Sequence, residues 1–388
     1  MFILAIVDQS LGKLVPLFVK REVVPVRTRT SDRHLRMPRR CASPHSHCIT
    51  DVSLRFMFSV EYDPKTRSMV IKAQIIKQKE TILLQSNGQR NGGKPRREKK
   101  PQSVRDLLNT TSCIPPPYRC PHPQMQFYLY TRTTQEKGEL LNTLDNDSLT
   151  YSKFNPLHPT KIVVHGFGGG RNLSPSTDMR NAYFTKGNYN IVIVDYGSLV
   201  KEPCLGQIEW APRFAGMCIG QLVDYLRYHP IKPVPPEQLH TIGYSVGAHI
   251  LGLVANFVPD GKLGRITGLD PTILFYMGNN RSRDLDYTDA LFVDILHTGA
   301  GILGQWGPNG HADFYVNGGS SQPGCAHDTI FQTLSCDHTK VTPYFIESIN
   351  SREGFWAGPC PSLFSYLIGW CEPKDSEYVL MGEHVTPK

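Results

Sequence analysis

Leu239-His-Thr-Ile-Gly243-Tyr244-Ser245-Val246-Gly247-Ala-His-Ile-Leu-Gly-Leu253 is the stretch on which the reading of this chain turns. Leu239 to Gly243 reads as a short apolar strand and Val246 to Phe257 as a helix, with only a turn between them. A turn that tight leaves no room for side chains at its flanks, which accounts for Gly243 and Gly247. It also holds the residue at its apex in a strained conformation pointing out of the sheet. In that setting Ser245 is a candidate nucleophile; without the flanking strand and helix the same five residues would mark an ordinary buried serine.

From Met125 onwards, short β-rich runs alternate with helical ones, as in a mostly parallel sheet covered by helices. Gln126 to Tyr130, Lys161 to Val164, Ile266 to Leu269 and Leu291 to Leu296 read as strands. The unbroken apolar run Ile191 to Val194 suits a strand buried on both faces. Trp210 to Tyr228 has helical periodicity and is ended by the proline-rich segment Pro230 to Pro236. No internal repeat interrupts the pattern. The expected class is α/β, of the α/β-hydrolase type, with one catalytic domain.

A serine hydroxyl is a poor nucleophile at neutral pH and needs a histidine to take its proton and a carboxylate to orient that histidine. In this class the chain order is serine, acid, histidine. Asp270 closes the apolar run Gly264-Arg-Ile-Thr-Gly-Leu-Asp270, which places a carboxylate at the same sheet edge as Ser245. Six histidines follow the serine: His249, His297, His311, His327, His338 and His384. His249 lies too close along the helix to reach back, and His297 ends a strand. Local pattern leaves His311 and His338 as equal candidates. For the oxyanion, the amide of Val246 is one expected donor. The second is Phe167, in the glycine-rich turn Val163-Val-His-Gly-Phe167-Gly-Gly169.

Composition bounds the rest. The chain has 388 residues, 40% of them hydrophobic, which is enough for a sizeable core. Its net charge of +8 is uneven: residues 1 to 103 hold 21 Lys and Arg against 8 Asp and Glu, and the remainder 21 against 26. The basic excess sits in the first quarter without any RNA- or DNA-binding motif, so a nucleic-acid partner is not expected. Ten cysteines, at 41, 48, 113, 120, 204, 218, 325, 336, 360 and 371, include no C-x-x-C spacing, which points to disulfides rather than zinc. Sequons at Asn109, Asn146, Asn172 and Asn280 agree with an extracellular, secreted protein. The opening run Met1 to Val7 is cut by Asp8 and does not make a clear signal peptide, and no apolar stretch is long enough for a transmembrane anchor. Residues 1–103 are expected to form a basic, weakly ordered extension with a linker at Asn91 to Lys100, or to reflect a start assigned too far upstream. Residues 104–388 form the catalytic domain.

His165-Gly-Phe167, Gly243 to Ala248, Ile266-Thr-Gly-Leu-Asp-Pro271, Phe292-Val-Asp, His297-Thr298 and Cys336-Asp-His338 together resemble the pancreatic lipase family of animal lipases. The likeness runs from about Val104 to Gly382 and is greatest to insect members, judging by Asp195-Tyr-Gly-Ser and Cys204 to Cys218. It implies cleavage of lipid carboxylic esters, as triacylglycerol lipase or as phospholipase of the A1 type, at a lipid interface or micelle. It also assigns His338, two residues after the second lid cysteine, to the triad with Ser245 and Asp270. The disulfide pairs it implies, taken with the spacing, are 113 to 120, 204 to 218, 325 to 336 and 360 to 371. The lid between Cys325 and Cys336, which carries Ile330 and Phe331, is short, as is the loop from His297 to His311; both lean toward phospholipid. Ile330, Phe331, Ile302, Leu303 and Trp306 are the expected lipid contacts. No cofactor is required; Asp286 and Asp289 match two carboxylate ligands of the family's structural calcium. The family's C-terminal β-sandwich has no counterpart, so a colipase partner is not expected. Some relatives only bind or store lipid, and that is the alternative function.

Overall fold

A computed structural model of the chain describes residues 55–63, 68–76, 113–116, 119–201, 204–276, 280–327, 329–368 and 370–387. Met1 to Val7, Cys41, Cys48, the Asn91 to Lys100 run and the Asn109 sequon lie outside them. Within residues 1–103, expected to be weakly ordered, lies a hairpin. Its strand β1 (Arg55–Asp63) pairs antiparallel with β2 (Ser68–Ile76), with Arg55 opposite Ile76 and Asp63 opposite Ser68. This hairpin lies in a unit of its own, distinct from the one that holds the other described residues.

The second unit is built on an eight-stranded sheet. Its strands are β3 (Gln126–Tyr130), β4 (Glu139–Leu141), β5 (Thr160–Val164), β6 (Asn190–Asp195), β7 (Leu239–Tyr244), β8 (Leu263–Leu269), β9 (Ala290–His297) and β10 (Ala312–Tyr315), in the order β10-β9-β8-β7-β5-β6-β3-β4. Every pairing from β10 to β6 is parallel, and β3 and β4 close one edge antiparallel. The α-helices are α1 (Asn146–Thr150), α2 (Ser176–Lys186), α3 (Ala211–Arg227), α4 (Val246–Val254), α5 (Ile330–Thr339), α6 (Val341–Asn350) and α7 (Leu363–Leu367). This is an α/β-hydrolase fold, a parallel sheet with helices packed on both faces.

Burial explains why the central strands read as unbroken apolar runs. In β6, Val192 and Val194 join the core on one face with Phe214, Ile219 and Leu222 of α3, while Ile191 and Ile193 join the core on the other with Tyr183 and Phe345. Each such side chain removed from water contributes roughly 1.5–3 kcal/mol. The β7 strand lies centrally between β5 and β8. The carboxyl ends of these three strands therefore meet along one edge, where parallel sheets place their ligand sites.

Two of the expected disulfides pair differently. Cys113 joins Cys204 and Cys120 joins Cys218, whereas Cys325–Cys336 and Cys360–Cys371 are as expected. Pro115 and Pro116 stiffen the segment after Cys113, and a 3-10 turn (Leu205–Glu209) with the first turns of α3 separates Cys204 from Cys218. Ile114 N donates to Gln207 Oε1 (2.6 Å), which brings the two segments together, and each cysteine meets a partner on the neighbouring segment.

Candidate active site

Ser245 sits at the junction of β7 and α4 with φ 57° and ψ −121°, a conformation rare for a residue with a side chain. The flanking glycines are steric necessities. A Cβ on Gly243 would lie 2.4 Å from the carbonyl oxygen of Gly247, and one on Gly247 would lie 2.4 Å from that of Val164. The Ser245 amide donates to Leu269 O (2.9 Å) and the Asp270 amide to Leu296 O (2.8 Å), so the ends of β7, β8 and β9 are laced together beneath the two side chains.

The structure brings Ser245, Asp270 and His338 into one line. His338 Nε2 is 2.9 Å from Ser245 Oγ, and Nδ1 is 2.5 Å from Asp270 Oδ2. Asp270 is fully buried, and Ser245 and His338 nearly so. The carboxylate is further held by backbone donors. Thr298 N reaches Oδ1 at 2.9 Å, and Gly299 N lies 3.1 Å from Oδ1 and 3.2 Å from Oδ2. The His338 ring rests against Tyr244, 5.1 Å between centroids, and burial pushes the Tyr244 phenol up to about 12. With one ring nitrogen on the acid and the other on the hydroxyl, the arrangement can carry a proton away from Ser245 Oγ and return it.

His338 lies in α5, which begins inside the Cys325–Cys336 lid; Thr329 caps it, its side chain accepting from Gln332 N (3.2 Å). The expected lid is therefore partly helical rather than a loop. Its expected lipid contacts Ile330 and Phe331 are exposed, Phe331 by 73%. The neighbour Asp337 is buried, which raises its pKa, and its Oδ1 accepts from Gln322 N (2.6 Å). Gln322 Nε2 in turn donates to Thr298 O (2.9 Å). The backbone that carries His338 and the loop that grips Asp270 are thus tied through Gln322.

The remaining histidines are elsewhere. His311 Nδ1 accepts from Val293 N (3.0 Å) between strand ends, and His297 is buried against Asp313 (2.8 Å). His249 Nε2 donates to Thr272 O and its Nδ1 accepts from Leu285 N, which clips two loops to α4; burial pushes its imidazole down to about 3. Sequence reasoning did not identify the roles of Thr298, Gly299 and Gln322. The first two act through backbone amides, which leave no side-chain signature.

Phe167 lies within the expected oxyanion loop and Val246 opens α4, and among the described residues neither amide donates a hydrogen bond. The loop is fixed by Gly168 N to Val200 O (2.6 Å) and by the Tyr196 hydroxyl, which donates to His165 O. Asp286 and Asp289 are both buried and adjacent. Asp289 Oδ2 accepts from Asp286 N (2.8 Å), whereas Asp286 Oδ2 has no hydrogen-bond partner. Burial, aided by the charge of Asp286, pushes the Asp289 carboxyl up to about 8.

The Lipase family model matches residues 96–387. Among curated proteins, the chain is 33% identical to inactive pancreatic lipase-related protein 1 of Homo sapiens, covering 64% of this chain and 56% of that protein. Phospholipase A1 member A of Rattus norvegicus is 33% identical, covering 64% and 54%, and lipase member H of Oryctolagus cuniculus is 32% identical, covering 64% and 54%. The chain thus spans little more than half the length of these relatives. Among solved structures, an α/β hydrolase from a deep-sea metagenome is similar at 14% identity and a TM-score of 0.29, covering 56% of this chain and 99% of that one; a likeness this weak carries no argument.

Proposed function

The chain belongs to the lipase family, and from that premise we propose that it is an extracellular hydrolase of lipid carboxylic esters working through an acyl-enzyme on Ser245. One of its relatives is named inactive, so membership alone does not carry catalysis. The observation that carries it is the bridging position of His338 between Ser245 Oγ and Asp270 Oδ2.

In this reading Ser245 Oγ attacks the ester carbonyl while its proton passes to His338 Nε2. The oxyanion that forms is received by the amides of Phe167 and Val246, whose freedom from other bonds supports that role, and the N-terminus of α4 adds a favourable dipole. Collapse of the intermediate breaks the bond to the alcohol, which leaves with the proton from Nε2. Water, deprotonated by the same nitrogen, then attacks the acyl-enzyme and releases a fatty acid. Asp270 keeps the ring oriented throughout. The ten-residue lid and the short loop that follows β9 favour phospholipid over triacylglycerol. The four disulfides among the described residues support an oxidising, extracellular setting.

Asp286 and Asp289 would hold a structural calcium ion. The unpartnered Asp286 Oδ2 fits a cation, whose charge would also oppose the burial that raises the neighbouring Asp289 carboxyl. The described residues hold no cluster of three or more His, Cys, Asp or Glu, so carbonyl oxygens and water would complete the shell.

Labelling with a fluorophosphonate probe and locating the adduct by mass spectrometry tests the proposal. An adduct on Ser245 that vanishes in Ser245→Ala is the expected result. A folded protein that takes no label overturns it and leaves the lipid-binding or storage reading.

A further inference from the structure

Between Cys360 and Cys371 the chain reads Pro-Ser-Leu-Phe-Ser-Tyr-Leu-Ile-Gly-Trp, ten residues without a charge. The disulfide closes them into a finger whose centre is the single-turn helix α7 (Leu363–Leu367), capped by the Ser362 side chain on Ser365 N (3.0 Å). The finger has two sides. Leu363 and Tyr366 pack inward with both cysteines against Ala300 and Tyr315, while Phe364 and Trp370 turn outward, 67% and 72% exposed, with Ile368 beside them. Trp370 is fixed by its backbone, N to Ser365 O (2.8 Å), while its ring stays in solvent. Large apolar side chains left in water on an uncharged cystine loop bring the molecule no folding energy where they stand.

We infer that this finger is a second docking element for a lipid surface, apart from the lid. The inference rests on the lipid-ester reading of the Ser245 site, and it identifies the surface the finger meets. Three observations select a lipid surface. The finger borders the site: Tyr315 lies between Tyr366 (5.7 Å between rings) and Trp306, whose carbonyl accepts from the Tyr315 hydroxyl (2.8 Å). The loop that carries exposed Ile302 and Trp306 abuts the acid, because a Cβ on its Gly304 would lie 2.5 Å from Asp270 Oδ1. The outward set, one Phe, one Trp and one Ile without charge, suits the boundary between head groups and acyl chains, where tryptophan concentrates.

The test is partition onto phosphatidylcholine vesicles by flotation, in the Ser245→Ala background so that no lipid is consumed. Alongside it, hydrolysis of a soluble monomeric butyrate ester is measured with Ser245 intact. The Phe364→Ser/Trp370→Ser double variant should keep the parent's melting temperature and its rate on the soluble ester. It should lose vesicle affinity by tenfold or more, on the order of the transfer energy of one buried aromatic ring. Partition should not respond to salt, since no charge takes part. A parent that cleaves the soluble ester but does not partition, or a double variant that partitions like the parent, overturns the docking role alone. Finger-dependent partition by a protein that cleaves no ester supports docking and overturns the hydrolase reading instead. A self-association that the double variant abolishes without a change in partition shows that the finger meets a second copy, and overturns the lipid assignment.

Discussion

The backbone amide of Gly299 donates into both oxygens of the Asp270 carboxylate, at 3.1 and 3.2 Å, so the acid is gripped by the loop after β9 rather than by the strand that carries it. Gly304 leaves the carboxylate its space. A methyl group there would stand 2.5–2.7 Å from three carboxylate atoms, and the buried Asp270 could yield only by turning away from His338. Gly304→Ala should therefore fold with near-normal stability but lose kcat on the order of a hundredfold, the usual result of moving a catalytic group by about an ångström. An unchanged kcat on a soluble ester would show that the grip on Asp270 is not needed.

Removal of the triad members themselves should be non-additive. Ser245→Ala and His338→Ala should each abolish nearly all turnover, roughly a millionfold, and the double variant should be no worse. Asp270→Asn should cost on the order of ten-thousandfold, because the amide would stabilise the wrong ring tautomer. His311→Gln, far from this line, should retain kcat. A large kcat loss in His311→Gln would reopen the choice between the two histidines that local pattern permits.

Peptide mapping without reduction should recover Cys113 linked to Cys204 and Cys120 linked to Cys218. Each bridge closes a loop of more than 90 residues, so Cys120→Ser with Cys218→Ser should destabilise the protein by about 2–5 kcal/mol. Recovery of a 113 to 120 peptide would contradict the packing of these two segments.

Acid should weaken the fold through His249. Its folded imidazole is pushed down to about 3, against 6.5 in the unfolded chain. The unfolded state thus takes the extra proton first, and the stability from the neutral buried ring is complete above pH 6.5 and lost progressively toward pH 3. By pH 5 the loss should reach about 2 kcal/mol. Melting temperature against pH should fall less steeply in His249→Gln than in the parent, and parallel curves would refute the assignment.

The Asp289 carboxyl has the opposite sign. With its folded pKa raised to about 8 from 3.8, the stability of the neutral form is complete below 3.8 and declines as pH rises to about 8. Calcium held by Asp286 and Asp289 would favour the ionised form and cancel that decline. At pH 8, calcium should raise the melting temperature by on the order of 5 °C over the chelated protein, and Asp289→Asn should abolish the difference. Equal melting curves with calcium and with chelator would remove the ion from this site.

The α/β alternation, the serine turn and the acid are all legible in the amino-acid sequence. They are written in local chemistry: apolar runs such as Ile191–Val194, glycines where a Cβ has no room, and a carboxylate at a strand end. Helix α2 escaped because it is largely polar, although it buries Met179, Tyr183 and Phe184, and β10 because four residues are too few to show a period. Which histidine completes the line was open to local pattern, and only family resemblance chose His338, because the ring arrives from 93 residues beyond the serine. The crossed disulfides, the amides of Thr298 and Gly299 under Asp270, and the link through Gln322 belong to the tertiary structure alone. They join segments far apart in the chain, either through backbone amides that every residue carries or through side chains whose partners are fixed only when the chain has folded.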